Sequence, residues 1–98
     1  MTKEERDLYE KVLSKWGVLD QTFMLIEETS ELLNAICKLR RDRVNIDDVV
    51  TEIADVKIML EQMEVMFDVE SNVEEEKQRK LNRLKARLEQ KNYETVQS

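Results

Sequence analysis

The chain is 98 residues long, which leaves room for one domain. It has one Gly, no Pro and many Glu, Lys, Leu and Arg residues, and this composition argues against strands joined by turns and predicts an all-α fold. Its net charge of −6 disfavours non-specific binding to nucleic acid, and its single cysteine, Cys37, excludes an intrachain disulfide. The charged N-terminal segment lacks the apolar core of a secretory signal and no apolar run is long enough to span a membrane, so we expect a cytoplasmic protein.

The first two predicted helices are separated by the one glycine. The first runs from about Thr2 to Trp16 and stops at Gly17, since glycine commonly follows the end of a helix. The second starts near Asp20, a residue type suited to an N-cap, and continues to Arg41. Its terminal Arg40 and Arg41 and the following Arg43 suit the negative end of a helix dipole.

The third predicted helix starts near Asn45, another N-cap type, and continues to about Phe67. Asp47 and Asp48 fall in its first turn, where negative charge is favourable. Because the predicted loops are short, successive helices should run antiparallel, as in a bundle.

The fourth predicted helix opens with a capping-box pattern at Ser71 to Glu74 and runs to about Asn92. Residues 93–98 are predicted to be a frayed tail of a single domain that spans residues 1–98. We expect an antiparallel four-helix-bundle-like domain. A chain this short buries a limited core, so we expect a homodimer or homotetramer to complete it.

Acidic residues interrupt the apolar face of two predicted helices. At about 100° per residue, Glu28 and Glu31 share a face with apolar residues of the second helix, and Glu52 and Asp55 share one with apolar residues of the third. The apolar residues on these faces are Met24, Leu25, Leu32, Ala35 and Leu39 in the second helix, and Val49, Val56, Met59, Met63 and Met66 in the third.

Four carboxylates facing a core are costly, since removing one from water costs several kcal/mol. No basic residue on either face is near enough to compensate, whereas one divalent cation neutralises several carboxylates at once. Carboxylate oxygens without histidine favour Mg²⁺, or Mn²⁺, over Zn²⁺. The pattern therefore predicts a metal site at Glu28, Glu31, Glu52 and Asp55. The alternative is a polar layer inside a bundle.

The string Glu27-Glu28-x-x-Glu31, followed after twenty residues by Glu52-x-x-Asp55, resembles the signature of the MazG-like nucleotide pyrophosphohydrolases of the all-α NTP pyrophosphatase superfamily. The resemblance covers roughly Trp16 to Leu88. It implies Mg²⁺-dependent hydrolysis of a nucleoside triphosphate to the monophosphate and pyrophosphate. It also implies metal ligands at Glu28, Glu31, Glu52 and Asp55, and catalytic roles for Glu27 and Glu28.

Substrate contacts are predicted outside the acidic motif. Seven basic residues and one acidic residue lie between Lys77 and Lys91, against nine basic and twenty-one acidic residues elsewhere. The resemblance implies that Lys77, Lys80, Arg83 and Arg87 bind phosphates, although a solvated helix face explains this charge equally well.

Two aromatic residues near the acidic motif are candidates for stacking on the base. Trp16 serves equally well as a stacking residue or as a core aromatic. For Phe23 a place in the core is the favoured prediction.

Four other interpretations are weaker. Phosphoribosyl-ATP pyrophosphohydrolase usually carries a histidine that this chain lacks, and dimeric dUTPases are generally larger. A non-catalytic helical interaction module would keep its apolar faces uninterrupted. DNA binding through the fourth helix conflicts with the overall acidity.

Overall fold

The computed structural model describes residues 1–42 and 45–97, with side chains up to Gln90. Its four helices are α1 (Lys3–Trp16), α2 (Val18–Arg40), α3 (Ile46–Phe67) and α4 (Glu70–Gln97). The described residues contain no strand, so the predicted all-α fold class is confirmed. The chain divides into two compact units, Met1–Asp68 and Val69–Ser98.

Helix α1 has a defined cap at both ends. At its start the Glu5 amide donates to Thr2 Oγ1 at 3.0 Å and the Thr2 amide donates to Glu5 Oε1 at 2.7 Å, which is a complete capping box. At its end Gly17 adopts φ 90° and ψ 159°, a conformation that strains residues with a Cβ. The predicted stop at Gly17 is confirmed.

Helix α2 follows Gly17 directly and begins at Val18, two residues before the predicted start. The predicted N-cap at Asp20 is therefore wrong, and Asp20 lies in the first turn, where its charge suits the helix dipole. The helix ends at Arg40, and the Arg41 amide donates back to the Lys38 carbonyl oxygen. Arg43 lies outside the described residues.

Helix α3 starts as the sequence predicts. The Asp48 amide donates to Asn45 Oδ1 at 3.3 Å, and the Asn45 amide donates to Asp48 Oδ2 at 3.2 Å. This reciprocal pair fixes the N-terminus of the helix. The helix ends at Phe67, where Asp68 takes a left-handed conformation with φ 53°.

Helix α4 starts earlier than predicted. It begins at Glu70, and the Val73 amide donates to the Val69 carbonyl oxygen at 2.9 Å. Ser71 is consequently inside the first turn, so the predicted capping box at Ser71 to Glu74 is wrong. The helix continues to Gln97, past the predicted end at Asn92, because no Gly or Pro follows to stop it.

In the first unit, α3 is contacted by both α1 and α2. Thr22 Oγ1, near the start of α2, lies 3.8 Å from Met66 Sδ, near the end of α3, so these two helices run antiparallel. The Tyr9 hydroxyl donates to Glu61 Oε2 at 2.8 Å and ties α1 to α3. The buried apolar side chains of the described residues are Tyr9, Ala35, Val49 and Met59.

This core is small. Among the described residues no side chain is completely buried, whereas many large apolar side chains on α2 and α3 are exposed. None of the described helices combines the length and the apolar character needed to cross a membrane.

Candidate metal centre

Three acidic side chains from α2 and α3 converge in the first unit. Glu28 and Glu31 lie one turn apart on α2, and Glu52 lies on the antiparallel α3. Each contributes one carboxylate oxygen to a group whose members all lie within 4.8 Å of one another. Helix α2 therefore supplies two hard oxygen donors and α3 supplies one, and the three donors lie close to one point.

Two of these carboxylates have an oxygen that is removed from solvent. Glu28 Oε2 and Glu52 Oε2 are buried and have no hydrogen-bond partner among the described residues. Both side chains are half-buried, whereas Glu31 is exposed at the edge of the group. The prediction of acids on the buried face is thus confirmed for Glu28 and Glu52 and wrong for Glu31. Glu31 lies about 100° before Leu32, at the margin of the contact.

The electrostatics of the group reflect this crowding. Burial, followed by the negative charges of Glu31 and Asp55, raises the pKa of Glu28 from 4.5 to about 7. Burial and the same two charges also raise the pKa of Glu52. Like charges in a partly desolvated place disfavour the ionised form, and a bound cation would reverse that effect.

Asp55, the fourth predicted ligand, is half-buried one turn after Glu52. It lies near enough to raise the pKa of both Glu28 and Glu52, but it is not one of the three residues whose oxygens meet within 4.8 Å. The structure therefore brings three of the four predicted ligands together and places the fourth beside them.

Asp48 was not predicted to take part in this site. Its charge also raises the pKa of Glu52, while its carboxylate caps the start of α3. Asp48 and Glu52 are four residues apart in one helix and therefore lie on the same face, so their spacing could have indicated this effect from the sequence.

Glu27, the other predicted catalytic residue, is exposed on α2. At about 100° from Glu28 around the helix, it lies beside the cluster and outside the buried face. An exposed carboxylate in this place is accessible to water and to a ligand that approaches the cluster.

The predicted phosphate contacts lie in the second unit. Lys77, Lys80, Arg83 and Arg87 are all exposed on α4 and recur at three- and four-residue intervals. Within this helix Lys80 Nζ lies 3.8 Å from Glu76 Oε1, and Arg79 also pairs with Glu76. The positive charge of Lys80 is therefore already paired in part with a carboxylate of its own helix.

Both aromatic candidates are exposed. Trp16 is 54% exposed, and Lys15 Nζ lies 5.2 Å from its ring centre in a cation–π arrangement. Phe23 is 62% exposed, so the prediction of a core position for Phe23 is wrong. It fails because α2 is apolar on two sides and Phe23 lies on the side that α3 does not cover.

Comparison with other proteins does not extend this description: no protein-family model, curated protein or solved structure matches the chain. The ligands that the site can hold therefore follow from its own donors, burial and charge.

Proposed function

We propose that the protein is a Mg²⁺-dependent hydrolase that cleaves nucleoside triphosphates to the monophosphate and pyrophosphate. The observation that supports this function is the convergence of Glu28, Glu31 and Glu52, with two buried carboxylate oxygens that lack a partner. The reaction class comes from the sequence resemblance to the MazG-like enzymes.

The donor set fits a hard divalent cation. Three carboxylates provide oxygen ligands, and no histidine or thiol accompanies them in the group. The three carboxylate oxygens lie within 4.8 Å of one another, so small side-chain adjustments would bring them to one cation. A cation also removes the cost of leaving Glu28 Oε2 and Glu52 Oε2 without a partner. Asp55, one turn after Glu52 and half-buried, is the candidate for a fourth ligand.

Residues around the cluster supply the remaining chemistry. A Mg²⁺ ion held there supplies Lewis-acid activation of phosphate oxygens and of a bound water. Glu27, exposed beside Glu28, is the carboxylate that would accept a proton from the attacking water.

Substrate contacts belong to other residues in this proposal. The resemblance implies phosphate binding by Lys77, Lys80, Arg83 and Arg87, whose exposed positive charges on α4 suit an anionic ligand. The exposed Trp16 presents a ring on which a base stacks.

The proposed activity is tested by measuring pyrophosphate release from a panel of canonical and damaged NTPs and dNTPs with Mg²⁺. We expect release from at least one substrate, and Glu52→Gln should lower it at least a hundredfold because a ligand is lost. Glu10→Gln removes an exposed acid of α1 and should keep the wild-type rate. Absence of release from the whole panel, or equal loss in both variants, would contradict the proposal.

Cation binding is tested separately by thermal unfolding. A ligand present at about 100 times its Kd stabilises a protein by about 2.7 kcal/mol, so Mg²⁺ or Mn²⁺ should raise the midpoint by several degrees. Glu52→Gln should abolish this rise, whereas Glu10→Gln should retain it. An unchanged wild-type midpoint in both metals would argue against the site.

One observation favours a different function. Large apolar side chains are exposed along α2 and α3, which is typical of a non-catalytic helical interaction module. Such a module predicts neither pyrophosphate release nor a cation-dependent midpoint, so the two experiments above distinguish it from the hydrolase.

A further inference from the structure

Helix α4 carries a narrow apolar seam. Leu81, Leu84 and Leu88 are three and four residues apart, so at about 100° per residue they fall within about 60° of one another around the helix. Their side chains are 45 to 61% exposed. We name these three leucines the α4 seam. Their spacing is that of the apolar positions through which helices pair in a coiled coil.

Basic residues border the α4 seam on both sides. Lys80 and Arg87 lie on one side of it and Lys85 lies on the other, and all three side chains are exposed. In a coiled coil the positions beside the seam pair with charges of the facing helix and thereby select the partner. Residues 77–90 contain six basic residues and one acidic residue, Glu89, which lies about 100° around the helix from Leu88. The charges beside the seam are therefore all positive.

An open hollow in the surface of α4 adjoins the seam and has a volume of about 510 Å³. Four of the residues that line it follow the spacing i, i+3, i+4 and i+7, namely Lys77, Lys80, Leu81 and Leu84. In a coiled coil, four residues of one helix receive one side chain of the facing helix. Because two of these four are lysines, the facing helix should present an acid beside the apolar side chain that it inserts.

A second copy of α4 is a poor partner for this seam. It would bring Lys80, Lys85 and Arg87 close to the same basic residues of the other copy, and like charges beside a seam select against pairing. An anionic lipid surface is also a poorer fit, because helices that lie in a membrane interface bury a broad apolar face. The α4 seam is narrow, and residues 70–90 contain no aromatic residue. A facing helix with acids on both sides of its own apolar residues suits both the width and the charge.

We propose that the α4 seam and the basic residues beside it bind an acidic amphipathic helix of another protein. The partner helix carries apolar residues at heptad spacing, bordered by Glu or Asp. This inference does not rest on the proposed hydrolase activity, because no leucine of the seam takes part in it. Lys80 and Arg87 are also proposed phosphate contacts, so the seam leucines are the residues that distinguish a bound helix from a bound phosphate.

A synthetic helical peptide tests this surface. The probe has the length of α4, 28 residues, with Leu at the two apolar positions of each heptad and Glu at the flanking positions. Its fluorescence anisotropy is measured against the whole chain, in chelator and without nucleotide. The Glu probe should bind at least tenfold more tightly than the same peptide with Lys at the flanking positions. This preference should shrink as salt rises from about 50 to about 500 mM, because salt screens exposed charges.

Two matched pairs of variants locate the contact on α4. Leu84→Gln should weaken binding of the Glu probe at least tenfold, whereas Ala86→Gln places the same side chain about 160° around the helix and should retain the affinity. Arg87→Gln should weaken binding at least threefold, whereas Arg79→Gln removes the same charge from the opposite side and should not. All four positions are exposed, so each variant should keep the helical circular dichroism of the wild type.

Several results would overturn this surface. Failure of the Glu probe to bind, or equal binding of both probes, would mean that α4 does not select an acidic helix. Wild-type affinity in Leu84→Gln with loss in Arg87→Gln would indicate an anion contact without the seam. Without binding of the Glu probe, a different process that Leu84→Gln abolishes would assign the seam elsewhere. Co-sedimentation with phosphatidylserine–phosphatidylcholine vesicles would assign it to a lipid surface, and self-association would assign it to a second copy.

Discussion

Glu28 has a pKa near neutrality because its carboxylate is partly desolvated among other acids. Its pKa is about 7 in the folded protein against 4.5 for an unperturbed glutamate. Between these values the folded state holds a proton that the unfolded state has released, so each rise in pH favours unfolding. Through Glu28 alone, the metal-free protein should gain most stability below about pH 4.5 and should lose this contribution as pH rises through about 7. Urea titrations in chelator across this range measure the effect.

A matched pair of variants isolates this residue. Glu28→Gln stays neutral at every pH, so its urea midpoint should fall less steeply than that of the wild type, and the remaining fall comes from Glu52, whose pKa is also raised. Glu27→Gln changes the exposed neighbour and should retain the wild-type slope. Saturating Mg²⁺ should also flatten the wild-type curve, since a cation favours the ionised carboxylate. Equal slopes in wild type and Glu28→Gln would contradict the assignment.

At the scale of the helix, the sequence suggests two N-caps, of which the structure contains the one at Asn45 and lacks the one at Ser71. Asn45 exchanges hydrogen bonds with Asp48 at the start of α3, whereas Ser71 lies within the first turn of α4. We expect Asn45→Ala to lower the free energy of unfolding by about 1 kcal/mol. Ser71→Ala should change it by less than about 0.5 kcal/mol, because no cap is lost. Urea unfolding of both variants measures the difference, and a larger loss in Ser71→Ala would contradict the observed start of α4.

The helices were predictable because their signals are local. Composition, the stop at Gly17 and the cap at Asn45 depend on residues a few positions apart. The start of α4 was missed because the left-handed Asp68 ends α3 and the next helix begins within two residues, before the serine that resembles a cap. A cap motif cannot indicate whether the chain has already entered a helix.

The carboxylate cluster was predictable to a similar extent. Helical periodicity placed Glu28 and Glu52 toward the partner helix, and both are half-buried there. Periodicity did not predict the exposure of Phe23, because a single apolar face for each helix leaves out the second apolar side of α2. Leu32 and Leu33 are both apolar, yet Leu32 is half-buried and Leu33 is exposed. A pattern of apolar residues does not indicate which side of a helix is covered by another helix of the same chain.

At the scale of the first unit, the open edge of the carboxylate cluster and the exposed apolar side chains lie on different sides of the α2–α3 pair. Glu28 and Glu52 are half-buried, and Glu31 and Asp55 come directly before the half-buried Leu32 and Val56. Leu33 and Leu60 come directly after half-buried or buried residues, so a rotation of about 100° in the opposite sense places them on the other side. A homodimer that forms on these apolar side chains would leave Glu31 and Asp55 open to a cation, so association and cation binding should have separable effects on stability.

This separation is measurable in one set of thermal melts, run at two protein concentrations with and without Mg²⁺. The wild-type midpoint should rise with concentration, because dimerisation stabilises the folded chain by mass action, and should rise again with the cation. Leu33→Glu should lose the response to concentration and keep the response to Mg²⁺. Glu52→Gln should do the reverse, because it removes a ligand and leaves the exposed apolar side chains of α2 and α3 unchanged. Loss of both responses in either variant would mean that cation binding and association depend on one shared surface.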